Sequence, residues 1–411
     1  MYLLPFLTYT SPRIARNLLI FRYNMLPQAR ARAKQLGHRG AMFPWRTISG
    51  EEASAYYAAG TAQYHINADI MYALRKYVQA TGDELFLRDY GAEMLVETAR
   101  LWVNLGFYSE AKGGKFCING VTGPDEYSAV VNNNAYTNLM ARENLRYAAQ
   151  TVKSLQSAEP DAYEALAHKT ALEPSEVETW SRAAENMYVP CDEDRHIILQ
   201  DDSFLDREPW DFKNTPPEHY PLLLFYHPLN IYRKRVIKQA DVVLAMFLLD
   251  DVFSPEAKKR NFYFYDPLTT GDSSLSSCVE AIIAAQVGDI EKAIRYGMAA
   301  LLMDLADVGG NVKDGCHIAS MGGTWMMLTY GFGRMRDYDG MLSFWPHRAP
   351  EENAILRFPV TYRGRRLEIE IGLEKVEYTL REGESLVIRH EMEEVHLTRQ
   401  NPVAVRPVSR R

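Results

Sequence analysis

Gly123-Pro124-Asp125-Glu126-Tyr127 lies in a long loop between two helical patterns, residues 84–105 and 136–157. Glycine and proline end the preceding element and favour a turn, so the two carboxylates that follow are held on a stiff loop. Catalytic side chains often lie on loops that a rigid scaffold positions. The stretch therefore indicates a helical scaffold with functional loops, although Gly-Pro-Asp is also ordinary turn chemistry.

Helical periodicity extends from this loop in both directions. The amphipathic stretches are 12–36, 53–80, 84–105, 136–157, 175–187, 238–251, 273–287, 289–305 and 319–332. The connections between them are long and rich in aromatic residues and glycine, and loops of that length in a compact domain are normally functional. The pattern predicts a mainly α fold, a ring of paired helices with a site assembled at one end.

The last part of the chain changes to a period-two alternation of apolar and polar residues, which predicts a short antiparallel sheet. The alternation is clearest over residues 356–362, 367–371, 376–380 and 385–389. We therefore predict a helical domain over residues 1–345 and a small β-domain over 346–411, joined by a link at 343–354. The proline- and arginine-rich end, Pro402 to Arg411, is expected to be frayed.

The bulk composition is that of a folded protein, with 47% hydrophobic and 24% charged residues and a net charge of -7. This negative charge argues against nucleic acid or an anionic membrane as the main partner. The chain has no uninterrupted apolar run of about 20 residues, so no membrane span is predicted. Its four cysteines lack C-x-x-C spacing and no Cys/His cluster has zinc spacing. We expect a cytoplasmic protein without a structural metal.

Two short stretches combine side chains that suit sugar binding. Trp45, beside Arg46, could stack on a sugar face next to a hydrogen-bond donor, or could instead plug the edge of the core. Lys238 and Gln239 open an apolar helix, where the helix dipole favours acidic residues, so their presence suggests hydroxyl binding. A solvated helix end is the alternative for that pair.

Two further stretches are rich in hydroxyl groups and glycine at predicted helix starts. Residues 269–277 contain Ser273 and Ser274, and free backbone amides with serine hydroxyls at a helix N-terminus form an anion cradle. Residues 315–325 contain His317, Ser320 and Gly322, where glycine allows close approach of a ligand to the backbone. Neither stretch is a P-loop or a dinucleotide fingerprint, so nucleotide binding is not predicted.

Taken together, these segments resemble the disaccharide phosphorylases of glycoside hydrolase family 65, the maltose, trehalose and kojibiose phosphorylase group. The resemblance covers nearly the whole chain. It is carried by residues 43–46, 49–52, 123–127, 238–241, 269–276 and 317–325.

This resemblance implies an (α/α)6 barrel followed by a small C-terminal β-domain, which agrees with the periodicity. By the family's pattern, Glu126 is the general acid, and Lys238 and Gln239 bind hydroxyl groups of the non-reducing glucose. Trp45 and Arg46 would line the same subsite. Phosphate would be held by the two hydroxyl- and glycine-rich loops, through Ser273, Ser274, His317, Ser320 and Gly322.

The implied reaction is phosphorolysis with inversion, giving β-glucose 1-phosphate and a released sugar. An inverting glycosidase uses one carboxylic acid and one carboxylate base, whereas a phosphorylase replaces water and base with inorganic phosphate. One loop carboxylate with two anion cradles favours phosphorolysis, with phosphate as co-substrate and no cofactor. The alternatives are an inverting, trehalase-like α-glucoside hydrolase, or a catalytically impaired remnant that still binds sugar.

The chain also departs from the family. Its members are much longer, with an N-terminal β-sandwich, a helical linker and a first barrel helix, and Met1 to Phe6 resembles a point inside their barrel. We therefore expect a barrel that is incomplete at its N-terminus and has reduced stability, or compensation by a homodimer or a complementing upstream chain. Ser128 and Gly271 stand where relatives usually carry histidine, which affects the expected leaving-group specificity.

Overall fold

The structure is a computed structural model that describes residues 1–54, 57–347 and 354–408. The helices in chain order are α1 (Leu4–Thr10), α2 (Pro12–Asn24), α3 (Leu26–Gln35), α4 (Ile66–Thr81), α5 (Glu84–Phe86), α6 (Ala92–Leu105), α7 (Ala135–Ala158), α8 (Pro160–Thr170), α9 (Pro174–Glu185), α10 (Pro228–Tyr232), α11 (Asp241–Leu248), α12 (Pro255–Tyr265), α13 (Ser276–Gln286), α14 (Ile290–Leu301) and α15 (Ile318–Met326). One π-helical segment, Leu87–Gly91, joins α5 to α6, and another, Met327–Phe332, extends α15.

Six of these helices form a closed inner ring. Each packs against the next in the order α1, α4, α7, α11, α13 and α15, and α15 packs against α1 to close the ring. In the described residues, α2, α6, α9, α12 and α14 back this ring from outside. Most residues that the inner helices bury are apolar, and α11 is buried over its whole length. The predicted (α/α)6 arrangement is confirmed.

Several helices differ from their predicted bounds. The predicted helix 12–36 is interrupted at Met25, where two helices meet, and the predicted helix 53–80 begins only at Ile66. Helices α1, α8 and α12 were not predicted, because each is short and two of them carry many charged or exposed residues. Proline at the first turn starts all three of them, which is a position that proline tolerates well.

Thirteen strands occur in the described residues: β1 (Phe107–Ser109), β2 (Lys115–Cys117), β3 (Cys191–Asp192), β4 (Ile197–Ile198), β5 (Glu208–Pro209), β6 (Lys234–Arg235), β7 (Ser343–Phe344), β8 (Leu356–Tyr362), β9 (Arg365–Ile371), β10 (Lys375–Glu382), β11 (Ser385–His390), β12 (Glu393–Thr398) and β13 (Val403–Pro407). The last seven build two C-terminal sheets, in the orders β13-β10-β9-β8 and β12-β11-β7. Buried residues alternate along these strands, so the predicted C-terminal sheet domain is confirmed.

The prediction that the chain is frayed from Pro402 onward is wrong for residues 403–408. Residues 403–407 form strand β13, which pairs antiparallel with β10, and Val408 beyond it is buried. The strand lies at the edge of its sheet and pairs along one side, with β10, which its proline and arginine content did not suggest. Residues 409–411 lie outside the described residues, as do residues 348–353 of the predicted link.

Candidate active site

The predicted site residues lie on loops that lead into inner helices. Glu126 precedes α7, Lys238 and Gln239 precede α11, Ser273 and Ser274 precede α13, and His317 precedes α15. Because the inner helices enter the ring from these loops, their N-termini share one end of the barrel. The partial positive charge of helix N-termini makes this end suited to anions and oxygen-rich ligands.

The Gly123–Tyr127 loop is fixed by hydrogen bonds to its backbone. The Asp125 amide donates to Asp241 Oδ1 at 2.8 Å, and Gln239 Nε2 donates to the Pro124 carbonyl at 2.7 Å. A Cβ atom on Gly123 would lie 2.1 Å from Asp241 Oδ2, so the position requires glycine. The loop is therefore held directly against the start of α11.

Glu126 is the loop carboxylate that reaches open space. Its Oε2 atom accepts from Lys238 Nζ at 2.6 Å, and the two side chains are 27% and 21% exposed. Its backbone carbonyl accepts from the Tyr57 hydroxyl at 3.3 Å. A half-buried carboxylate with an ammonium partner at the end of a barrel is a group that can exchange a proton with a ligand.

Asp125 has the opposite surroundings and is fully buried. Its Oδ1 accepts from the backbone amide of Lys238 at 2.9 Å, and its Oδ2 accepts from Gln200 Nε2 at 2.8 Å. Burial raises the pKa of Asp125 to about 6, against the opposing effect of these hydrogen bonds. Burial, and then the charge of Asp125, raises the pKa of Asp241 well above its usual value. This buried pair holds the loop and is closed to a substrate.

Ser273 lies next to the same cluster. Its hydroxyl donates to Gln239 Oε1 at 2.9 Å, while the Ser276 hydroxyl donates to the Lys238 carbonyl at 2.9 Å. Ser274 is half-buried beside Ser273 at the entry to α13. Lys238, Gln239 and Ser273 therefore form one continuous group with Glu126.

The His317 group lies at the N-terminus of the neighbouring inner helix, α15. His317 Nδ1 lies 2.6 Å from Asp304 Oδ1, and its backbone amide donates to Asp304 Oδ2 at 2.9 Å. The buried Ser320 hydroxyl donates to the Ala300 carbonyl at 3.3 Å. Gly322 packs against the chain start, since a Cβ there would lie 2.5 Å from the Tyr2 carbonyl oxygen. A phosphate role for these three residues stays a prediction.

Trp45 contacts the Glu126 loop indirectly, because its ring packs on Tyr57. The two rings meet edge to face with centroids 5.7 Å apart, and Tyr57 in turn contacts the Glu126 carbonyl. The exposed Arg46 guanidinium lies 4.8 Å from the Trp45 ring centroid. Gly60 leaves room for the indole, because a Cβ there would lie 2.5 Å from a Trp45 ring carbon.

Sequence reasoning did not assign a role to three residues that shape this site. Tyr57 connects Trp45 to Glu126, Gln200 holds Asp125, and Asp241 holds the loop backbone. Gln200 lies in the long 188–237 connection, where no spacing relates it to Glu126. Asp241 was visible as the last residue of Lys238-Gln239-Ala240-Asp241, and an acidic residue in a first helical turn is usually explained by the helix dipole alone.

Within the described residues, no helix has both the length and the apolar character needed to cross a membrane. In the same residues, no three His, Cys, Asp or Glu side chains cluster as ligands for a metal ion.

Comparison with known proteins gives matches along most of the chain. Residues 1–326 match the model of the glycosyl hydrolase family 65 central catalytic domain, and residues 335–397 match that of the family's C-terminal domain. An alpha,alpha-trehalose phosphorylase from Thermoanaerobacter brockii is 51% identical over 94% of this chain and 50% of its own length. A kojibiose phosphorylase from Halothermothrix orenii is 36% identical over 91% of this chain and 50% of its own length.

A solved structure agrees with these matches. The "Putative kojibiose phosphorylase from human microbiome" superposes with a TM-score of 0.89 and 30% identity, covering 98% of this chain and 55% of the other. The chain spans about half the length of the curated relatives it matches. The helical ring, the loops at its one end and the two domain matches together place this chain in glycosyl hydrolase family 65.

Proposed function

We propose that this chain carries the site for inverting phosphorolysis of an α-linked glucose disaccharide, giving β-glucose 1-phosphate and a free sugar. Glu126 is the general acid and inorganic phosphate is the nucleophile, with no further cofactor. The observation that carries the proposal is the pairing of Glu126 with Lys238, 2.6 Å apart, beside the Gln239–Ser273 hydrogen bond. The phosphorylase names of the relatives at 51% and 36% identity support it.

In the proposed step a phosphate oxygen forms a bond to the anomeric carbon as the glycosidic carbon–oxygen bond breaks. The electron pair of that bond leaves with the glycosidic oxygen, which takes the proton from Glu126. General acid catalysis of this kind contributes about 10²–10⁴-fold to a rate. Phosphate needs no activating carboxylate, since it is already a competent nucleophile at neutral pH.

Lys238 has two competing partners in this proposal. In the free site its ammonium group pairs with the Glu126 carboxylate. A sugar hydroxyl that accepts from Lys238 Nζ would draw the ammonium away and also exclude water from the carboxyl group. A desolvated carboxyl without its cationic partner favours the protonated form that a general acid needs. Substrate binding would thus prepare the acid.

The phosphate subsite is proposed at the N-termini of α13 and α15, with Ser273, Ser274 and His317 as donors. These two helices are neighbours in the inner ring, since a Cβ on Gly323 would touch Cys278 Sγ. Hydrogen bonds to an anionic ligand are about twice as strong as neutral ones, so a few donors suffice. Trp45 and Arg46 would lie at the sugar subsite, through the Tyr57 contact to the acid loop.

Hydrolysis is the competing reaction and needs a carboxylate free to activate water. Among the described residues near Glu126, Asp125 and Asp241 are buried and bonded to the loop backbone. Asp272 accepts from the Tyr127 hydroxyl and from the Leu222 amide. The lack of an available second carboxylate in this cluster favours phosphorolysis.

We also propose that the protein is located in the cytoplasm. The four cysteines, Cys117, Cys191, Cys278 and Cys316, are all free thiols, as is usual for proteins in a reducing compartment. The partners under this proposal are a disaccharide and phosphate, and the net charge of -7 does not favour nucleic acid.

The test is to incubate the purified chain with trehalose, kojibiose, maltose and nigerose, with and without phosphate. We expect glucose 1-phosphate to form only with phosphate, and Glu126→Gln to lower the rate by about 10²–10⁴-fold. The matched control is Glu110→Gln, an exposed carboxylate on the turn between β1 and β2, which should keep the rate.

Sugar release at an equal rate without phosphate would favour the hydrolase instead. An unchanged rate in Glu126→Gln would remove Glu126 from the acid role. If calorimetry shows that the chain binds a disaccharide but no product forms, the chain would be a catalytically impaired remnant that still binds sugar.

A further inference from the structure

Tyr127, the residue after Glu126, is fully buried and is held by hydrogen bonds at both ends. Its backbone amide donates to Asp125 Oδ1 at 3.2 Å. Its hydroxyl donates to Asp272 Oδ2 at 2.5 Å and accepts from the Leu222 amide at 2.8 Å. Burial, and then the charge of Asp272, raises the pKa of Tyr127 above its usual value, so the hydroxyl keeps its proton and remains a donor.

Apolar packing fixes the Tyr127 ring as well. The ring lies in a fully buried cluster whose other members come from the long connection before α11 and are Leu222, Ile231 and Val236. A displaced ring would expose apolar surface and leave the hydrogen bonds of the hydroxyl unmade. The backbone on the C-terminal side of Glu126 therefore has one favoured position, just as the contacts to the start of α11 fix its N-terminal side.

Asp272 joins this tyrosine to the loop that leads into α13. It directly precedes Ser273 in the chain, and the Ser273 hydroxyl donates to Gln239 Oε1 at 2.9 Å. Gln239 Nε2 in turn donates to the carbonyl of Pro124, two residues before Glu126, at 2.7 Å. Covalent bonds and hydrogen bonds thus form a closed circuit. It runs from the acid loop through Asp272 and Ser273 to Gln239 and back to the acid loop.

We propose that Tyr127 and Asp272 are positioning residues that fix the distance between the Glu126 carboxyl group and the loop that carries Ser273. The inference rests on the proposed function, in which the acid and the phosphate act on opposite sides of the anomeric carbon. Both groups must be in place in the same step, and a displacement of about 1 Å can slow a reaction by about 10²-fold. The Tyr127 hydroxyl and the Asp272 carboxylate bond each other, so they act through Glu126 and Ser273.

The test is Tyr127→Phe in the full chain, which removes the hydroxyl and keeps the packed ring. Asp272 still has the Leu222 amide as a donor at 3.2 Å, so this variant should fold. We expect kcat for phosphorolysis to fall by about 10–100-fold, while KM for phosphate and for the disaccharide changes by less than about twofold. The matched control is Tyr226→Phe, which removes a hydroxyl bonded to His219 in the same connection and should keep kcat.

Two further measurements sharpen the test. Because the two residues act through one hydrogen bond, the Tyr127→Phe, Asp272→Ala double variant should lose no more of kcat than the more affected single variant. Hydrogen exchange needs no turnover, and the backbone amides of residues 125–127 should exchange faster in Tyr127→Phe than in the wild type.

The proposal is overturned if Tyr127→Phe keeps the wild-type kcat, or if its loss adds fully to that of Asp272→Ala. Equal exchange of the 125–127 amides in Tyr127→Phe and the wild type would also overturn it. Sugar release without phosphate, or an unchanged rate in Glu126→Gln, would instead reject the proposed function. Hydrogen exchange would then still decide whether the Tyr127 hydroxyl fixes the acid loop.

Discussion

Asp125 and Glu126 are neighbours in the chain with opposite environments. Glu126 meets solvent and Lys238, whereas Asp125 is buried and accepts hydrogen bonds from backbone and Gln200. The motif alone pointed to two carboxylates on one loop, and the resemblance pointed to the second of them. Their division of roles depends on Gln200 and Asp241, which lie 75 and 116 residues from Asp125. No local pattern contains that information.

The raised pKa of Asp125 makes a prediction about stability against pH. Its folded-state pKa of about 6 lies above the ordinary value of 3.8, so folding favours its protonated form. The stability it contributes is complete below about pH 4 and is lost as pH rises through about 6. Asp125→Asn has no such titration. We expect the wild-type advantage over Asp125→Asn to shrink as pH rises from 4.5 to 7.

Urea unfolding of both proteins at each pH measures this difference. Asp211→Asn, which changes an exposed carboxylate on the 188–237 connection, is the control. A difference between wild type and Asp125→Asn that is constant with pH would contradict the prediction.

At the scale of elements, hydrophobic periodicity predicted the helices that have one clearly apolar face. It did not predict elements that are short or that form only because a neighbouring element pairs with them. Helix α12 carries three basic residues and one exposed aromatic residue, Tyr263, so its amphipathic signal is weak. Strand β13 has only three consecutive apolar residues, Val403 to Val405, and it forms because the open edge of β10 supplies hydrogen-bond partners. Long-range pairing of this kind overrides local propensity.

The pairing of β13 can be tested with proline. Leu380 N donates to the Pro402 carbonyl, and Val408 N donates to the Glu374 carbonyl. Hydrogen-bonded pairs alternate in an antiparallel ladder, so Ala404, opposite Tyr378, donates its amide to β10, whereas the Val405 amide points outward.

We expect Ala404→Pro to destabilise the protein by about 1–3 kcal/mol, because it leaves a β10 carbonyl without its donor. Val405→Pro, which removes no ladder hydrogen bond, should have a much smaller effect. Chemical unfolding measures both, and hydrogen exchange should show the Ala404 amide protected in wild type. Rapid hydrogen exchange at the Ala404 amide would contradict the pairing of β13 and would indicate that this segment is frayed.

At the scale of the whole molecule, the ring closes through contacts between its first and last helices. Phe6 and Tyr9 of α1 pack on the Trp325 ring of α15, with centroids 5.8 Å and 6.0 Å away. The buried Asp337, after α15, accepts from the Tyr9 hydroxyl at 2.6 Å and from Lys76 Nζ of α4 at 2.5 Å. This one carboxylate links α1, α4 and the segment that leads to the C-terminal sheets.

Removing Asp337 should therefore be costly. Asp337→Ala removes the carboxylate from the buried Tyr9 hydroxyl and from the 20% exposed Lys76 side chain. Breaking a fully buried ion pair costs about 3–5 kcal/mol, so we expect a loss near the lower end of that range. Glu384→Ala is the control, because the Arg399–Glu384 pair is 77% and 81% exposed, and such surface pairs contribute about 0–1 kcal/mol. Thermal and urea unfolding measure both variants. Equal effects would show that Asp337 does not stabilise the ring.

By itself the sequence determined the mainly α class, the C-terminal sheet and the loops that carry Glu126, Lys238, Gln239 and Ser273, because periodicity and turn chemistry are local. Only the tertiary structure decided which of the two loop carboxylates is open, how β13 pairs, and that α1 closes the ring against α15. These features depend on desolvation, ladder pairing and packing between residues far apart in the chain, and folding brings such residues together without a signature in either local stretch.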